Sequence, residues 1–237
     1  MPTELLFRDD PYLQEAEATV LSVNDRRGIV LDRTIFYATG GGQPGDSGAL
    51  ERAGGNIAIA TTVYGDSKSD IVHVPGEAQP LPEPGETLKA VLDWPRRYNH
   101  MRIHTALHLL SVAVPFPVTG GSIGADEGRL DFDIDGETPV KEALEERLNA
   151  LVAGDYPVTT EWITDEELMA NPGLVKTMKV KPPMGTGRVR LVRIGDVDLQ
   201  PCGGTHVRST AEIGRLAVSK IESKGKQNRR IRIRFAG

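Results

Sequence analysis

Up to about Asp93 the apolar residues come in short runs rich in Val, Ile and Thr, at positions 18–23, 28–37, 56–63, 71–74 and 87–92. Turn-forming pairs and clusters separate them: Asn24-Asp25, Gly54-Gly55 and Pro82-Glu83-Pro84-Gly85. Closely spaced short strands of this kind predict a small barrel or sandwich rather than a βαβ arrangement. The pattern changes at Trp94-Pro95. Residues 96–113 have the composition of a helix, with Met101, Leu107 and Leu110 among its apolar positions and Pro115 and Pro117 to stop it. A second helix is expected from near Pro139, where Ala143, Leu144, Leu148, Leu151 and Val152 recur at helical spacing and Gly154 follows. Thr164 and Glu167 form a capping-box pattern that opens a third, short helix. Strands return over 188–194, 214–221 and 229–235. The last alternates cleanly, with Arg230, Arg232 and Arg234 on one face and Ile231, Ile233 and Phe235 on the other. The reading is therefore a β domain over residues 1–93 followed by an α+β domain over 94–237, with helices packed on an antiparallel sheet.

Composition changes this picture little. Aromatic residues make up 5% of the 237, so the core rests on Val, Ile, Leu and Ala. No apolar run approaches the ~20 residues that span a bilayer, and the first ten residues do not resemble a signal peptide. Cys202 is the only cysteine, which excludes an intrachain disulfide and favours a cytosolic protein with no membrane partner. Charge is more informative. The net value is −5, yet residues 178–237 carry 14 Lys and Arg against 4 Asp and Glu, a local +10 that leaves −15 for the rest. Such polarity fits a C-terminal part that faces a polyanion; a solvated basic face with no partner is the alternative.

The candidate chemistry lies in two short segments. His104-Thr-Ala-Leu-His108 places two imidazoles at i and i+4, on one face of the expected helix. Cys202-Gly-Gly-Thr-His206 brings a thiolate and an imidazole together across a pliable glycine pair. Two histidines from a helix with a cysteine and a histidine from a loop suit tetrahedral Zn²⁺ inside a preformed domain. Four protein ligands would close the sphere of a purely structural zinc. Catalysis would need a weak or displaced ligand, or a metal that only orients the substrate. His100 extends the helical spacing as a surface residue or a neighbour of the ligands, and His73 is expected to be structural or on the surface. The glycine-rich run from Thr39 to Gly48 lacks the Lys-Ser/Thr ending of a phosphate loop, and Pro44-Gly45 blocks the dinucleotide fingerprint. On glycine content alone it is a surface turn.

Four segments resemble the editing region of alanyl-tRNA synthetases, in that family's order. They are Ile35-Phe-Tyr-Ala-Thr-Gly-Gly-Gly-Gln-Pro-Gly-Asp-Ser-Gly48, Arg102-Ile-His-Thr-Ala-Leu-His-Leu-Leu110, Cys202-Gly-Gly-Thr-His-Val207 and Ser223-Lys-Gly-Lys-Gln-Asn-Arg-Arg-Ile231. Together they cover most of the chain, with one departure, Ala38, where many relatives place proline. With no room for an aminoacylation domain, the chain resembles the free-standing AlaX editing family in its longer form. The resemblance implies a small N-terminal β-barrel and an α+β editing domain of the threonyl/alanyl-tRNA synthetase type. It also implies hydrolysis of serine, or glycine, wrongly esterified to tRNA(Ala). By the same resemblance His104, His108, Cys202 and His206 hold Zn²⁺ beside the ester, and Gln43 with Gly41 and Gly42 contacts the substrate there. Thr119, Gly121 and Ser122, with Gly120, line the amino-acid pocket or form an ordinary loop. Lys224, Lys226, Arg229 and Arg230 are expected to grip acceptor-stem phosphates. Other readings stay open: a zinc hydrolase of a small ester or amide, a non-catalytic RNA-binding module with structural zinc, and Ser-tRNA(Thr) as the substrate.

Overall fold

A computed structural model describes residues 3–66, 69–77, 79–176 and 187–236. The chain forms two compact units, Met1–Tyr98 and Asn99–Gly237. The division falls inside a helix that begins at Trp94. The first unit runs β1 (Glu4–Leu5), α1 (Leu6–Asp9), β2 (Glu15–Val23), β3 (Ile29–Leu31), β4 (Arg33–Thr34), β5 (Gly48–Glu51), β6 (Ile57–Tyr64), β7 (Ile71–Pro75) and β8 (Thr87–Leu92). Six of these close a barrel in the order β2-β3-β7-β6-β5-β8. Alternation explains why: along β2, β6 and β8 every second residue turns inward. Val20, Ile29, Leu31, Leu50, Ile57, Ile59, Leu88 and Ala90 thus fill the interior with Ile35 and Phe36. Apart from Phe36 these core residues are aliphatic, as the scarcity of aromatic residues required. β5 is a strand that the sequence pattern did not announce, since Gly48 and Ala49 give it little apolar signature.

Two buried polar clusters brace the barrel. His73 of β7 donates from Nδ1 to the Ile29 carbonyl (3.0 Å), and its Nε2 accepts from Thr34 Oγ1 (2.7 Å). Its ring meets Phe36 edge-on at 5.2 Å. This histidine is structural, and burial lowers its pKa to about 4. Arg97 lies buried against Asp46, donating to the carboxylate from Nε (2.9 Å) and from Nη2, and it also bonds the carbonyls of Ile35 (2.7 Å) and Pro11 (3.1 Å). The Tyr37 amide donates to the same Asp46 oxygen (2.6 Å). A charge pair this deep stands only because hydrogen bonds surround it.

The second unit contains α2 (Trp94–Ala113, shared with the first), β9 (Val118–Ile123), β10 (Glu127–Asp133), α3 (Lys141–Ala153), β11 (Val158–Thr164), α4 (Asp165–Ala170), β12 (Arg188–Ile194), β13 (Asp198–Pro201), β14 (Leu216–Ser223) and β15 (Asn228–Phe235). They form a four-stranded sheet, β14-β15-β10-β9, and a three-stranded sheet, β11-β12-β13, both antiparallel. α3 lays Leu144, Leu148 and Val152 inward, and its Asn149 side chain bonds both the amide and the carbonyl of Leu216. The helix begins at Lys141, two residues later than Pro139. The Thr164–Glu167 capping box is present at α4. α2 packs directly on β10: a side chain at Gly128 would come within 2.5 Å of Ile103 and 3.2 Å of Leu107. Positions 103–111 of α2 are buried all round, as in a central helix. β9, β10, β11 and β13 are additions to the expected pattern. The first contains Gly120-Gly121, and the others mix charged residues or proline into short strands.

Candidate metal centre and active site

His104 and His108 stand one turn apart on the same face of α2. Cys202 follows β13 directly, and the Gly203-Gly204 bend returns His206 to the same point. One donor atom from each of the four residues lies within 4.8 Å of all the others. Cys202 Sγ is 3.4 Å from His104 Nε2 and 3.3 Å from His206 Nε2. A tetrahedral ion with zinc-like bonds needs donor–donor edges of roughly 3.3–3.6 Å. Donor chemistry and spacing therefore fit a metal ion, and these residues could hold one.

Neighbouring groups fix which nitrogen the His108 and His206 rings present. His108 Nδ1 donates to Asp198 Oδ2 (3.0 Å), so that once the ring gives up its other proton to a metal, Nε2 is the nitrogen with the lone pair. Asp198 is itself held by Gln200 Nε2 (2.8 Å) and by Lys176 Nζ. The Thr105 hydroxyl donates to the Met101 carbonyl (2.9 Å), so its oxygen accepts from the Val207 amide (3.3 Å) and from His206 Nδ1 (3.2 Å). His206 is thereby also left with a free Nε2 lone pair. Arg190 Nη1 ties down the loop between the ligands through the carbonyls of Cys202 (2.9 Å) and Gly204 (3.0 Å).

Electrostatics follow from these contacts. Burial raises the Cys202 thiol, but the nearby charge of His104 and His206 and bonds from His104 and His108 outweigh it and hold the group well below the thiol range. Burial and repulsion from His104 lower His206 to about 3. Burial also opposes charge on His108, yet the Asp198 hydrogen bond and the Cys202 sulfur lift it to about 9. Asp198, despite its own burial, is pulled down to about 2 chiefly by His108. One sulfur and three imidazole donors in a single buried cluster are a set that a divalent cation such as Zn²⁺ would draw together.

Asp198, Thr105, Gln200, Lys176 and Arg190 were not read from the sequence as part of the site. Only the alternation of Asp198 and Gln200 ahead of Cys202, and the place of Thr105 between the two helical ligands, hinted at them. His100 is buried, not a surface residue, and it stands outside the four-ligand group. In the first unit, Gly41 and Gly42 both have positive φ (57° and 84°), and Gly40 and Gln43 exchange backbone hydrogen bonds of 3.1 and 2.9 Å. This is a two-residue turn of the kind that demands φ > 0 at both central positions. The Gln43 side chain is buried.

Thr119, Gly120, Gly121 and Ser122 form strand β9 rather than a loop. Ser122 pairs with Arg129 and Gly121 with Leu130, so the two face opposite sides of the sheet. Thr119 Oγ1 donates to the Asp131 carbonyl (3.1 Å) and accepts from Asn228 Nδ2 (3.1 Å). The basic residues lie at the β14–β15 hairpin. Lys224 approaches Glu222 (3.4 Å), and Arg229 bonds Thr138 Oγ1 (3.0 Å) and Ser223 Oγ (3.2 Å). Lys226 is exposed. Arg230 is clamped on Asp131 by two bonds of 2.7 and 2.9 Å. Lys179 and Lys181, which contribute to the basic charge, lie outside the described residues.

Residues 189–232 match the family described as the threonyl and alanyl tRNA synthetase second additional domain, and residues 10–96 match the class II (A) tRNA synthetases. The chain is 34% identical over 238 residues to the alanyl-tRNA editing protein AlaX-M of Methanosarcina acetivorans, covering 97% of each chain. It is 36% identical to AlaX-L of Pyrococcus horikoshii, over 96% of this chain and 57% of that protein. It is also 37% identical to the alanine–tRNA ligase of Pyrobaculum arsenaticum, over 93% of this chain but 25% of the ligase. A barrel, an editing-type α+β unit and near-complete coverage at this identity lead to one conclusion: the chain belongs to the AlaX family of alanyl-tRNA editing proteins.

Proposed function

We propose that this protein is a trans-editing hydrolase that removes serine or glycine from mischarged tRNA(Ala) in the cytoplasm, without ATP. The observation that carries this reading is the cluster of His104, His108, Cys202 and His206 in a chain of the alanyl-tRNA editing family. Zn²⁺ is the ion these ligands suit, and when bound it supplies Lewis-acid polarisation of an ester carbonyl and acidification of nearby water. Asp198 and Thr105 keep the His108 and His206 rings turned so that Nε2 is the donor. Water adds across the ester, the acyl carbon takes its oxygen, and the terminal ribose hydroxyl leaves with the proton.

Gln43, Gly41 and Gly42 are assigned to substrate contact on their motif, and Gln43, His104 and His108 are assigned as the catalytic groups. Thr119, Gly121 and Ser122 are assigned to recognition of the amino acid. A site that hydrogen-bonds the serine hydroxyl discriminates against alanine, which leaves those groups unpaired. Lys224, Lys226 and Arg229 are the leading phosphate contacts; Arg230, neutralised by Asp131, contributes least.

The test is to incubate zinc-analysed protein with Ser-tRNA(Ala), Gly-tRNA(Ala), Ala-tRNA(Ala) and Ser-tRNA(Thr). Loss of serine from Ser-tRNA(Ala), with Ala-tRNA(Ala) and Ser-tRNA(Thr) intact, is expected, and the glycine substrate decides between the two amino acids. Cys202→Ala should lose metal and activity together. Absence of turnover on every aminoacyl-tRNA overturns the proposal.

A further inference from the structure

Among the described residues, four large apolar side chains are exposed, and Trp162 is the largest of them, at 46%. It sits on β11, the edge strand of the three-stranded sheet. Register places it opposite Arg190, with Arg188 and Val192 the next residues of β12 on the same face. The Arg188 guanidinium carbon lies 5.1 Å from the Trp162 ring centroid. Arg190, its direct cross-strand partner, reaches the carbonyls of Cys202 and Gly204. One side chain therefore separates an exposed indole from the loop that carries two of the four metal ligands.

We propose that Trp162 is a stacking platform for an unpaired base at the 3′ end of the aminoacyl-RNA, flanked by Arg188. The inference rests on the editing function proposed above. The bond to be broken is on the terminal ribose, so the last unpaired bases must lie within a nucleotide or two of the ligand loop. An aromatic face accepts any base, and a neighbouring guanidinium adds a second planar surface. The charge nearby argues for stacking rather than for a grip on phosphates. Asp165, Glu166 and Glu167 open α4 directly after β11, and Glu161, on the opposite face, is paired with Arg193 (3.0 Å). With Arg188 and Arg190 on one side and these carboxylates on the other, no surplus of positive charge is left to grip phosphates, and the indole face is the attractive element.

The experiment measures steady-state deacylation of Ser-tRNA(Ala) by the wild type, Trp162→Ala, Trp162→Phe and Arg188→Gln at two salt concentrations. Trp162→Ala should raise KM about tenfold with kcat within twofold, and by the same factor at both salts. Trp162→Phe should recover most of the loss, and Arg188→Gln should fall between. Independently, an RNA tetranucleotide ending in CCA should quench the fluorescence of Trp162 in a Trp94→Phe protein. Wild-type KM in Trp162→Ala overturns the inference, as does a change of oligomeric state in that variant with KM unaltered, which would assign the face to a second copy of the chain. If the wild type deacylates nothing, the editing reading fails, while the fluorescence titration still decides whether the indole binds RNA.

Discussion

Three donors converge on the Asp198 carboxylate: His108 Nδ1, Gln200 Nε2 and Lys176 Nζ. The first gives a histidine on a helix face the defined donor atom that a metal ligand would need, and the other two keep the carboxylate from rotating away. Partners of this kind are worth 10- to 100-fold in metal affinity in other sites. Asp198→Ala is therefore expected to weaken metal binding by about that factor in a chelator competition, while Asp198→Asn, which retains an acceptor, loses less. An unchanged affinity in both would mean that α2 alone orients His108. At this scale the four residues of the cluster were legible because His and Cys are rare here and their spacings, four residues in each pair, are geometrically meaningful. Asp198 and Thr105 were not, since a single Asp or Thr carries no spacing signal. Each gains its role from a contact 90 or 101 residues away.

Elements differ in how plainly they announce themselves. β12 and β15 were readable because apolar and charged residues alternate or cluster over seven or eight positions, and α4 because its capping box is local. β9 was hidden by Gly120-Gly121, and β13 by its four-residue length with Pro201 at its end. Both exist because a neighbouring strand supplies the hydrogen-bond ladder. In the barrel, His73 links β7 to β3 and β4 as a neutral ring. An ordinary histidine near 6.5 in the unfolded chain against about 4 in the barrel means that the unfolded state binds more protons between those values. The stabilisation is thus fully present above pH 6.5 and is lost as the pH falls toward 4. The loss amounts to about 2 kcal/mol at pH 5 by linkage. Unfolding free energies at pH 7.5 and 5 should show this drop in the wild type and a smaller one in His73→Gln. Equal slopes in the two proteins would exclude His73 as its source.

Across the whole molecule, the charge asymmetry is real in sequence but partly spent in the fold. On one face of the four-stranded sheet Arg230 pairs with Asp131, Arg232 with Glu222 and Glu127, and Arg129 with Asp131. The hairpin residues Lys224, Lys226 and Arg229 are less fully balanced. Changing these three to Gln should flatten the log–log salt dependence of tRNA binding by roughly two to three units, whereas Arg230→Gln should leave it nearly unchanged. Fluorescence anisotropy over a range of salt measures both, and an equal effect from Arg230 would contradict the pairing. The sequence by itself determined the α+β class, the family with the barrel it implies, and the four residues that could hold a metal, because these depend on local periodicity, residue type and ordered motifs. Only the tertiary structure decided which strands complete the sheets, which nitrogen each histidine offers, which arginines remain available and that Trp162 stands exposed one side chain from the ligand loop. Those properties arise from partners brought together by folding, and no local pattern records such a partner.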